Sequence, residues 1–249
     1  MASLESKILT TLLKLSGIKT SINRRFNNGH FHQGDMNRPY KQLTASLNIV
    51  TTQVSGRNVF TLSPKNDGNE TKILYLHGGA YIRGFGRIHW DFFNTLIKKT
   101  GCTIIAPDYP LAPESNYKDS FEMLTQIYED LILNDKPENL ILMGDSSGGG
   151  FALAFAQKML TEHKPMPRRI ILLSPWLDVT MENPELRTIE PLDPVLEISG
   201  LIRAGKAYAA QTDPHDPLLS PIYGNLEGLP RISLFAGTRD ILVADARRL

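Results

Sequence analysis

The chain has 249 residues, of which 41% are hydrophobic, and its 27 basic and 26 acidic side chains give a formal net charge of +1. This length suits one large domain with a substantial core, and the near-neutral charge provides no long-range field to attract nucleic acid or an anionic membrane. The only cysteine in the sequence, Cys102, cannot form an intrachain disulfide, which favours a reducing, cytoplasmic setting.

The first 45 residues predict a helical region rather than a leader peptide. Apolar residues at three- and four-residue spacing mark one face of an amphipathic helix: Leu4, Ile8, Leu12 and Leu15. Charged residues at positions 5, 7 and 14 interrupt the apolar core of a signal peptide, and no stretch reaches the roughly 18 apolar residues of a membrane span. We expect residues 1–45 to form a cap on the body of the protein; a lid over an active site or contact with a lipid surface is the alternative.

The rest of the chain alternates apolar runs with helical patterns, which predicts one α/β domain over residues 1–249. Such an alternation indicates a mostly parallel central sheet with helices on both faces. Residues 179–220 lack strand patterns and are rich in proline and acidic residues, so we predict an insertion that contributes to the cap. The predicted strands are Leu47–Val54, Asn58–Leu62, Lys72–Leu76, Cys102–Ala106, Leu140–Met143, Ile170–Leu173 and Ile232–Phe235, and the predicted helices include Trp90–Lys99, Phe121–Leu131 and Phe151–Leu160.

The most informative segment is Gly144–Gly149, where the pattern G-x-S-x-G lies between a predicted strand and a predicted helix. A serine in this context sits on a sharp, strained turn, and the helix N-terminus behind it favours developing negative charge. The pattern also occurs in ordinary glycine turns, but the flanking strand and helix favour Ser146 as a catalytic nucleophile. Ser147 is the rival serine; the register of the motif predicts instead that its backbone N–H points into an oxyanion hole.

A second glycine-containing segment, His77–Tyr81, follows an earlier predicted strand. Consecutive glycines suit a place where backbone N–H groups must approach a substrate oxygen without crowding by side chains. We therefore predict that this segment forms part of an oxyanion hole; a glycine turn without a catalytic role is the alternative. We interpret His77 as a buried, hydrogen-bonded histidine, because it precedes the loop rather than facing the serine.

Two acidic residues compete for the position that orients a catalytic histidine. Asp240 comes shortly after the strand Ile232–Phe235, where a carboxylate can accept a hydrogen bond from imidazole Nδ1. Asp178 follows the strand that ends near Ser174, which is one strand too early for the usual order of a triad. We therefore favour Asp240; a helix N-cap for Ile241–Leu249 is the alternative role of that residue.

Together these segments resemble the hormone-sensitive-lipase-like branch of the α/β-hydrolases, which includes bacterial carboxylesterases and acetyl esterases. The resemblance covers the chain from about Lys72 to its end and implies an α/β-hydrolase fold with an N-terminal cap. Its motifs, in chain order, are His77–Tyr81, Asp108–Glu114, Gly144–Gly149, Ser174–Asp178, Leu219–Pro221 and Gly237–Leu242.

The resemblance implies a role for each matching residue. Ser146 corresponds to the nucleophile and Asp240 to the acid, and Glu114 is expected to support the turn at the nucleophile. The oxyanion-hole N–H groups are assigned to Gly78, Gly79 and Ser147. The chain departs from the family pattern at Ala80, where a third glycine is usual, and at Pro110, where an arginine is usual.

The third departure concerns the catalytic histidine, which follows the acid in triads on this fold. The histidines here are at positions 30, 32, 77, 89, 163 and 215, so none follows Asp240. We expect that the sequence is a C-terminally truncated fragment, lacking the last strand and the histidine loop, and that the chain as printed is nearly inactive. A catalytically silent relative that binds a small ligand is the second interpretation, and use of His215 as the base is the third.

The expected function of the intact protein is that of a serine carboxylesterase, lipase-like in sequence, which hydrolyses small carboxylic esters. Ser146 would attack the ester carbonyl and form an acyl-enzyme that water hydrolyses. We expect no metal and no cofactor, because no cluster of cysteine and histidine suggests a site for one. The expected partner is a small-molecule ester; we expect neither nucleic acid nor an integral membrane segment, and a homodimer is left open.

Overall fold

The computed structural model describes residues 11–13, 16–27, 36–66 and 68–249. Of the predicted N-terminal apolar face, only Leu12 lies within these ranges, and its side chain is exposed. The other three positions of that face lie outside the described residues, as do His30 and His32. The amphipathic helix over the first 15 residues therefore stays a prediction.

The described residues contain a single seven-stranded sheet in the order β1-β2-β4-β3-β5-β6-β7. The N-terminal hairpin β1-β2 is antiparallel and pairs antiparallel with β4, whereas the strands from β4 to β7 all run parallel. The mostly parallel sheet predicted from the sequence is confirmed. Its strands are β1 (Leu47–Val54), β2 (Arg57–Pro64), β3 (Lys72–Leu76), β4 (Thr103–Pro107), β5 (Leu140–Asp145), β6 (Arg169–Leu173) and β7 (Ile232–Phe235).

Helices cover both faces of this sheet, because alternate side chains of each central strand point to opposite sides. In β3, Leu74 and Leu76 belong to one core with α4, α5 and α7, while Ile73 and Tyr75 belong to the other with α3. The helices are α1 (Ile18–Asn27), α2 (Lys41–Ser46), α3 (Arg87–Thr100), α4 (Tyr117–Asn134), α5 (Ser147–Thr161), α6 (Leu186–Ile189), α7 (Ile198–Ala209) and α8 (Val243–Ala246).

The parallel arrangement brings the segments with candidate catalytic residues to one edge of the sheet. Strands β3, β5, β6 and β7 lie side by side and point the same way. Their carboxyl ends therefore meet at the edge where sites form in open α/β sheets. The loop at His77, the serine Ser146, the loop at Ser174 and the carboxylate Asp240 follow these strands in that order.

Above this edge, parts of the two predicted cap regions contact each other. Helix α1 packs against α7, and the Lys19 ammonium donates hydrogen bonds to the carbonyl oxygens of Glu190 and Asp193 at 2.7 and 3.0 Å. The segment that precedes α7 is thus tied to the N-terminal region. In the described part of the chain, every helix is too short or too polar to cross a lipid bilayer.

Candidate active site

Ser146 occupies a strained turn between β5 and α5, with φ 51° and ψ −122°. A residue other than glycine seldom adopts a positive φ, and such strain persists only where the surroundings enforce it. Close backbone packing enforces it here: a Cβ atom on Gly148 would lie 2.1 Å from the carbonyl oxygen of Leu76, and one on Gly144 would lie 2.3 Å from that of Gly148. The two glycines of the motif are therefore required by the space that the turn leaves.

The two neighbouring serines have different surroundings. Ser146 is partly exposed, and its hydroxyl makes no hydrogen bond with any described residue. Ser147 is fully buried, and its hydroxyl accepts the N–H of Tyr81 at 3.3 Å. The hydroxyl of Ser147 thus ties residues 77–83, the predicted oxyanion segment and called the oxyanion loop below, to helix α5, while that of Ser146 has no partner among the described residues.

The oxyanion loop differs from the prediction in one respect. The N–H of Gly78 does not point to free space but donates to the Asp145 carboxylate, with 2.8 Å between nitrogen and Oδ1. The N–H groups of Gly79 and Ala80 have no acceptor among the described residues, and neither has the N–H of Ser147 in the first turn of α5. The predicted set therefore changes: Gly78 is engaged elsewhere, and Ala80 provides a free N–H.

The predicted burial of His77 is confirmed, and its contacts with Gly78 and Tyr109 support the oxyanion loop. Its side chain is inaccessible to solvent, its Nδ1 lies 2.9 Å from the carbonyl oxygen of Gly78, and its ring stacks on Tyr109 at 4.3 Å. The Tyr109 hydroxyl donates to the His77 carbonyl oxygen at 2.6 Å. Burial, together with the nearby ring of His89, lowers the pKa of His77 to about 3, so the imidazole is neutral.

Asp145, which directly precedes the nucleophile, contacts three described residues through its carboxylate. Oδ1 accepts the Tyr75 hydroxyl at 2.7 Å as well as the Gly78 N–H, and Oδ2 lies 3.5 Å from Nε2 of His89. Burial acts to raise the pKa of Asp145, but the hydrogen bonds and the neighbouring His89 outweigh it and lower the pKa below its ordinary value. Asp145 is therefore ionised at neutral pH.

Asp240 lies in the loop between β7 and α8, where a network of backbone N–H groups shapes the chain. Its Oδ1 accepts the Leu242 N–H at 2.9 Å. Burial raises the pKa of Asp240, the Ser174 hydroxyl acts against this, and the nearby Asp193 adds to it. Asp193 is itself buried and accepts the Ile241 N–H through Oδ2 at 2.9 Å. The helix that follows begins at Val243 with Leu242 as its N-cap, so Asp240 does not have the N-cap role considered above, and its contact with Leu242 shapes the turn before the helix.

Asp178, the competing acid, is engaged in a structural network. It is fully buried, and it accepts hydrogen bonds from the backbone and hydroxyl of Thr180 and from the hydroxyl of Tyr223. It is also absent from the described residues that line the cavity at Ser146. This placement favours Asp240 over Asp178 as the acid.

Ser146 and Asp240 line one open cavity of about 580 Å³. Asp145 and Ser174 belong to the same lining, and Arg239 and Thr238 lie at the Asp240 side. A cavity of this size fits a small organic ligand. Its apolar walls consist of Ile88, Pro194, Val195, Leu196 and Leu242.

The described histidines lie away from the hydroxyl of Ser146. His77 and His89 pack behind the oxyanion loop, and His163 is exposed at the end of α5. His215 is exposed, where Nδ1 lies 2.9 Å from Asp213 and Nε2 lies 3.3 Å from Glu182. The geometry therefore gives no support to His215 as the base. Within the described ranges, no group of three His, Cys, Asp or Glu side chains could hold a metal ion.

Sequence reasoning missed the residues that hold the turn at the nucleophile. Glu114 was also expected in this role; it is exposed, and its role at the turn stays a prediction. The observed supports are Asp145, Tyr75 and His89. The acidic residue inside the G-x-S-x-G motif was the available signal, because an acid beside a nucleophile requires partners for its charge.

Comparison with known proteins shows the family of this chain. A family model described as alpha/beta hydrolase fold matches residues 73–249. An esterase from Acinetobacter venetianus is 34% identical over 178 residues, which is 71% of this chain and 59% of that protein. An acetyl-hydrolase from Streptomyces hygroscopicus is also 34% identical over 178 residues, covering 71% of this chain and 60% of the relative. The chain thus spans about three fifths of the length of these two relatives.

Solved structures give the same result for the fold. An esterase from the bacterial hormone-sensitive lipase family has a TM-score of 0.82 at 24% identity, with 100% of this chain and 83% of that chain covered. A protein named EstE5 also has a TM-score of 0.82, at 25% identity, with 99% of this chain and 83% of that chain covered. The predicted fold class is confirmed.

Proposed function

The chain belongs to the alpha/beta hydrolase fold family, and on that basis we propose that it is a serine carboxylesterase acting on small carboxylic esters through an acyl-enzyme on Ser146. The observation that carries the proposal is the shared cavity. A strained serine and the Asp240 carboxylate, both partly exposed, line it. The relatives named esterase and acetyl-hydrolase support the same class of reaction.

Each step of the reaction can be assigned to groups at this edge of the sheet. The Ser146 oxygen attacks the ester carbonyl, and the carbonyl oxygen becomes an anion. The unpaired N–H groups of Gly79, Ala80 and Ser147 would stabilise that anion in a site already organised for it. Collapse expels the alcohol and leaves an acyl group on Ser146, which a water molecule then removes.

The proton of Ser146 requires a base, and the natural candidate is an imidazole placed between Ser146 and Asp240. The Asp240 carboxylate would orient that imidazole and stabilise its charged form. In this sequence no histidine follows Asp240. The cavity of about 580 Å³ has room for an added imidazole together with a small ester, which makes the role of the base directly testable.

The proposal is tested by hydrolysis of p-nitrophenyl butyrate by the purified chain, with Ser146→Ala as the blank, in the absence and presence of imidazole. We expect a low rate without imidazole, because a serine hydroxyl is a poor nucleophile without a base. We expect a saturable increase with imidazole that the blank lacks. A rate equal to that of the blank at every imidazole concentration, with no fluorophosphonate adduct on Ser146, would overturn the proposal.

One observation favours a second function, the binding of a small ligand without catalysis. The Ser146 hydroxyl has no hydrogen bond to any described residue, and Asp240 is contacted by its own loop rather than by an imidazole. In that case a butyrate ester should raise the melting temperature of the chain equally in the parent and in Ser146→Ala. Imidazole should then produce no Ser146-dependent turnover.

Two further assignments belong to the proposal. Residues 1–45 and 179–220 together form the cap of a single domain, which the contact between α1 and α7 supports.

The setting is cytoplasmic, which is consistent with a lone Cys102 that is buried and whose pKa is raised by that burial. Fractionation of cells that express the tagged protein tests the setting, and a homodimer stays an open prediction that sedimentation would test.

A further inference from the structure

We propose that Asp145 and His89 are positioning residues that hold the oxyanion loop in register with Ser146, an inference that rests on the function proposed above. Neither residue lies at a place where it must touch a substrate's reacting carbonyl. Both act through the backbone of Gly78, which comes one residue before the proposed oxyanion donors.

The carboxylate of Asp145 joins two strands and the oxyanion loop at a single point. It extends from the last residue of β5, and its Oδ1 accepts both the Tyr75 hydroxyl of β3 and the Gly78 N–H, at 2.7 and 2.8 Å. A Cβ atom on Gly78 would come within 2.3 Å of the other oxygen, Oδ2. The loop therefore passes directly against the carboxylate, and its position depends on where that carboxylate points.

His89 fixes the direction of the carboxylate from the opposite side. Its Nδ1 accepts the Gly86 N–H at 2.9 Å, so this nitrogen carries no proton and Nε2 is the donor of the ring. That Nε2 faces Oδ2 of Asp145 at 3.5 Å, and the ring is largely shielded from solvent. With Oδ2 directed at His89, Oδ1 is directed at Gly78, and Gly79 and Ala80, whose N–H groups have no acceptor among the described residues, follow directly in the chain.

A purely local role for His89 makes a different prediction. The contact between Nδ1 and Gly86 closes the first turn of α3, so His89 could serve only as a helix cap. The two roles use different ring nitrogens, and two substitutions separate them. His89→Asn keeps an acceptor near the Nδ1 position and removes the donor to Asp145, whereas His89→Gln keeps a donor near the Nε2 position and removes the acceptor for Gly86.

The first test is amide hydrogen exchange of the peptide that covers residues 77–83, and it needs no catalytic activity. The positioning role predicts exchange about tenfold faster in His89→Asn than in the parent, because the protected amides of this loop include that of Gly78. His89→Gln should stay close to the parent. His163→Asn, at an exposed histidine on the far end of α5, is the matched control and should leave this peptide unchanged.

The second test is imidazole-supported hydrolysis of p-nitrophenyl butyrate. A displaced oxyanion loop lowers kcat with little change in KM, because the oxyanion exists only after attack. We expect His89→Asn to lose about tenfold in kcat, and His89→Gln to retain most of it, against a loss of roughly 10²–10³ for removal of a whole oxyanion donor.

The outcomes separate this inference from the proposed function. Faster exchange in His89→Gln than in His89→Asn, or no change in either, overturns the positioning role whatever the activity. A parent chain without Ser146-dependent hydrolysis overturns the proposed function, and the exchange data then still decide whether His89 and Asp145 hold the loop. A loss of activity that appears in KM rather than kcat also counts against positioning of the oxyanion donors.

Discussion

The two sides of the cavity are built differently. On the nucleophile side, Ser146 lies between central strands, and close contact between backbone atoms of β3, β5 and α5 fixes the turn. On the acid side, Asp240 follows β7, the last strand of the described sheet, where Phe235 leaves 61% of its side chain exposed. Hydrogen bonds from the N–H groups of Leu242 and Ile241 to carboxylates shape that loop, together with backbone hydrogen bonds such as that from Asp240 to Gly237.

This difference shows how the geometry of each side of the cavity is fixed. Close-packed backbone tolerates almost no added volume, so the nucleophile side is specified sterically. The acid side is specified by polar contacts that include Asp193 and Ser174, and charge or pH can change such contacts. We therefore expect the nucleophile side to respond to changes in side-chain size and the acid side to respond to changes in charge.

The largest effect should come from one added methyl group on the nucleophile side. Gly148→Ala places a Cβ 2.1 Å from a backbone oxygen of β3, which neither side chain nor solvent can relieve. Gly237→Ala, on the acid side, meets only the Asp240 side chain at an ordinary 3.7 Å. We expect Gly148→Ala to lose more than about 4 kcal/mol of unfolding free energy in urea and Gly237→Ala less than about 1 kcal/mol. Similar losses would remove the steric distinction between the two sides.

The next effect concerns charge on the acid side. In imidazole-supported hydrolysis, Asp240→Asn should lower kcat about tenfold. This loss is smaller than the roughly 10⁴-fold loss of kcat when the acid is replaced in a serine protease whose own side chain supplies the imidazole. Asp178→Asn should leave kcat near that of the parent and cost about 1–3 kcal/mol of stability, because a buried acceptor for Thr180 and Tyr223 is altered. The reverse pattern of rates would assign the acid to Asp178.

The dependence of stability on pH should have opposite signs on the two sides. The pKa of Asp145 is lowered in the folded chain. Its ionisation therefore adds to the free energy of unfolding above the ordinary pKa of 3.8, and this stabilisation is lost as the pH falls through the folded pKa. The pKa of Asp240 is raised in the folded chain. Its contribution to the free energy of unfolding is therefore fully present below the ordinary pKa of 3.8 and is lost as the pH rises through the folded pKa.

Urea unfolding of the parent, Asp145→Asn and Asp240→Asn between about pH 3 and 7 measures this difference. At each pH, the unfolding free energy of the variant is subtracted from that of the parent, and the result is plotted against pH. The parent's advantage over Asp145→Asn should increase with pH, and its advantage over Asp240→Asn should decrease. Two slopes of the same sign would show that the two carboxylates do not differ in the way that their surroundings imply.

The smallest effect should follow substitution of the exposed His215. Its pKa is raised by Asp213 and Glu182, but all three side chains are largely in solvent. We expect His215→Gln to change the unfolding free energy by less than about 0.5 kcal/mol and the imidazole-supported rate not at all. A loss of the imidazole-independent rate in this variant would revive His215 as a base.

The central segments were predictable because their local signals agree with the tertiary fold. Strands β1, β3 and β7 have the predicted bounds, and the predicted helix Trp90–Lys99 lies within α3. The prediction for Gly78 was wrong in detail, because a run of glycines indicates where backbone comes close but not which N–H is already bound. The role of Glu114 at the turn, which was expected from the family resemblance, stays a prediction.

The sequence by itself determined the fold class, the strained serine and the order of the segments around it, because hydrophobic periodicity and glycine spacing are local properties of the chain. Only the tertiary structure decided which groups meet across that order. Asp145 contacts Tyr75 and His89 across 70 and 56 residues of chain (145 − 75 and 145 − 89), and Asp193 reaches Ile241 across 48. Such contacts depend on how strands and helices pack side by side, and no local pattern records that choice.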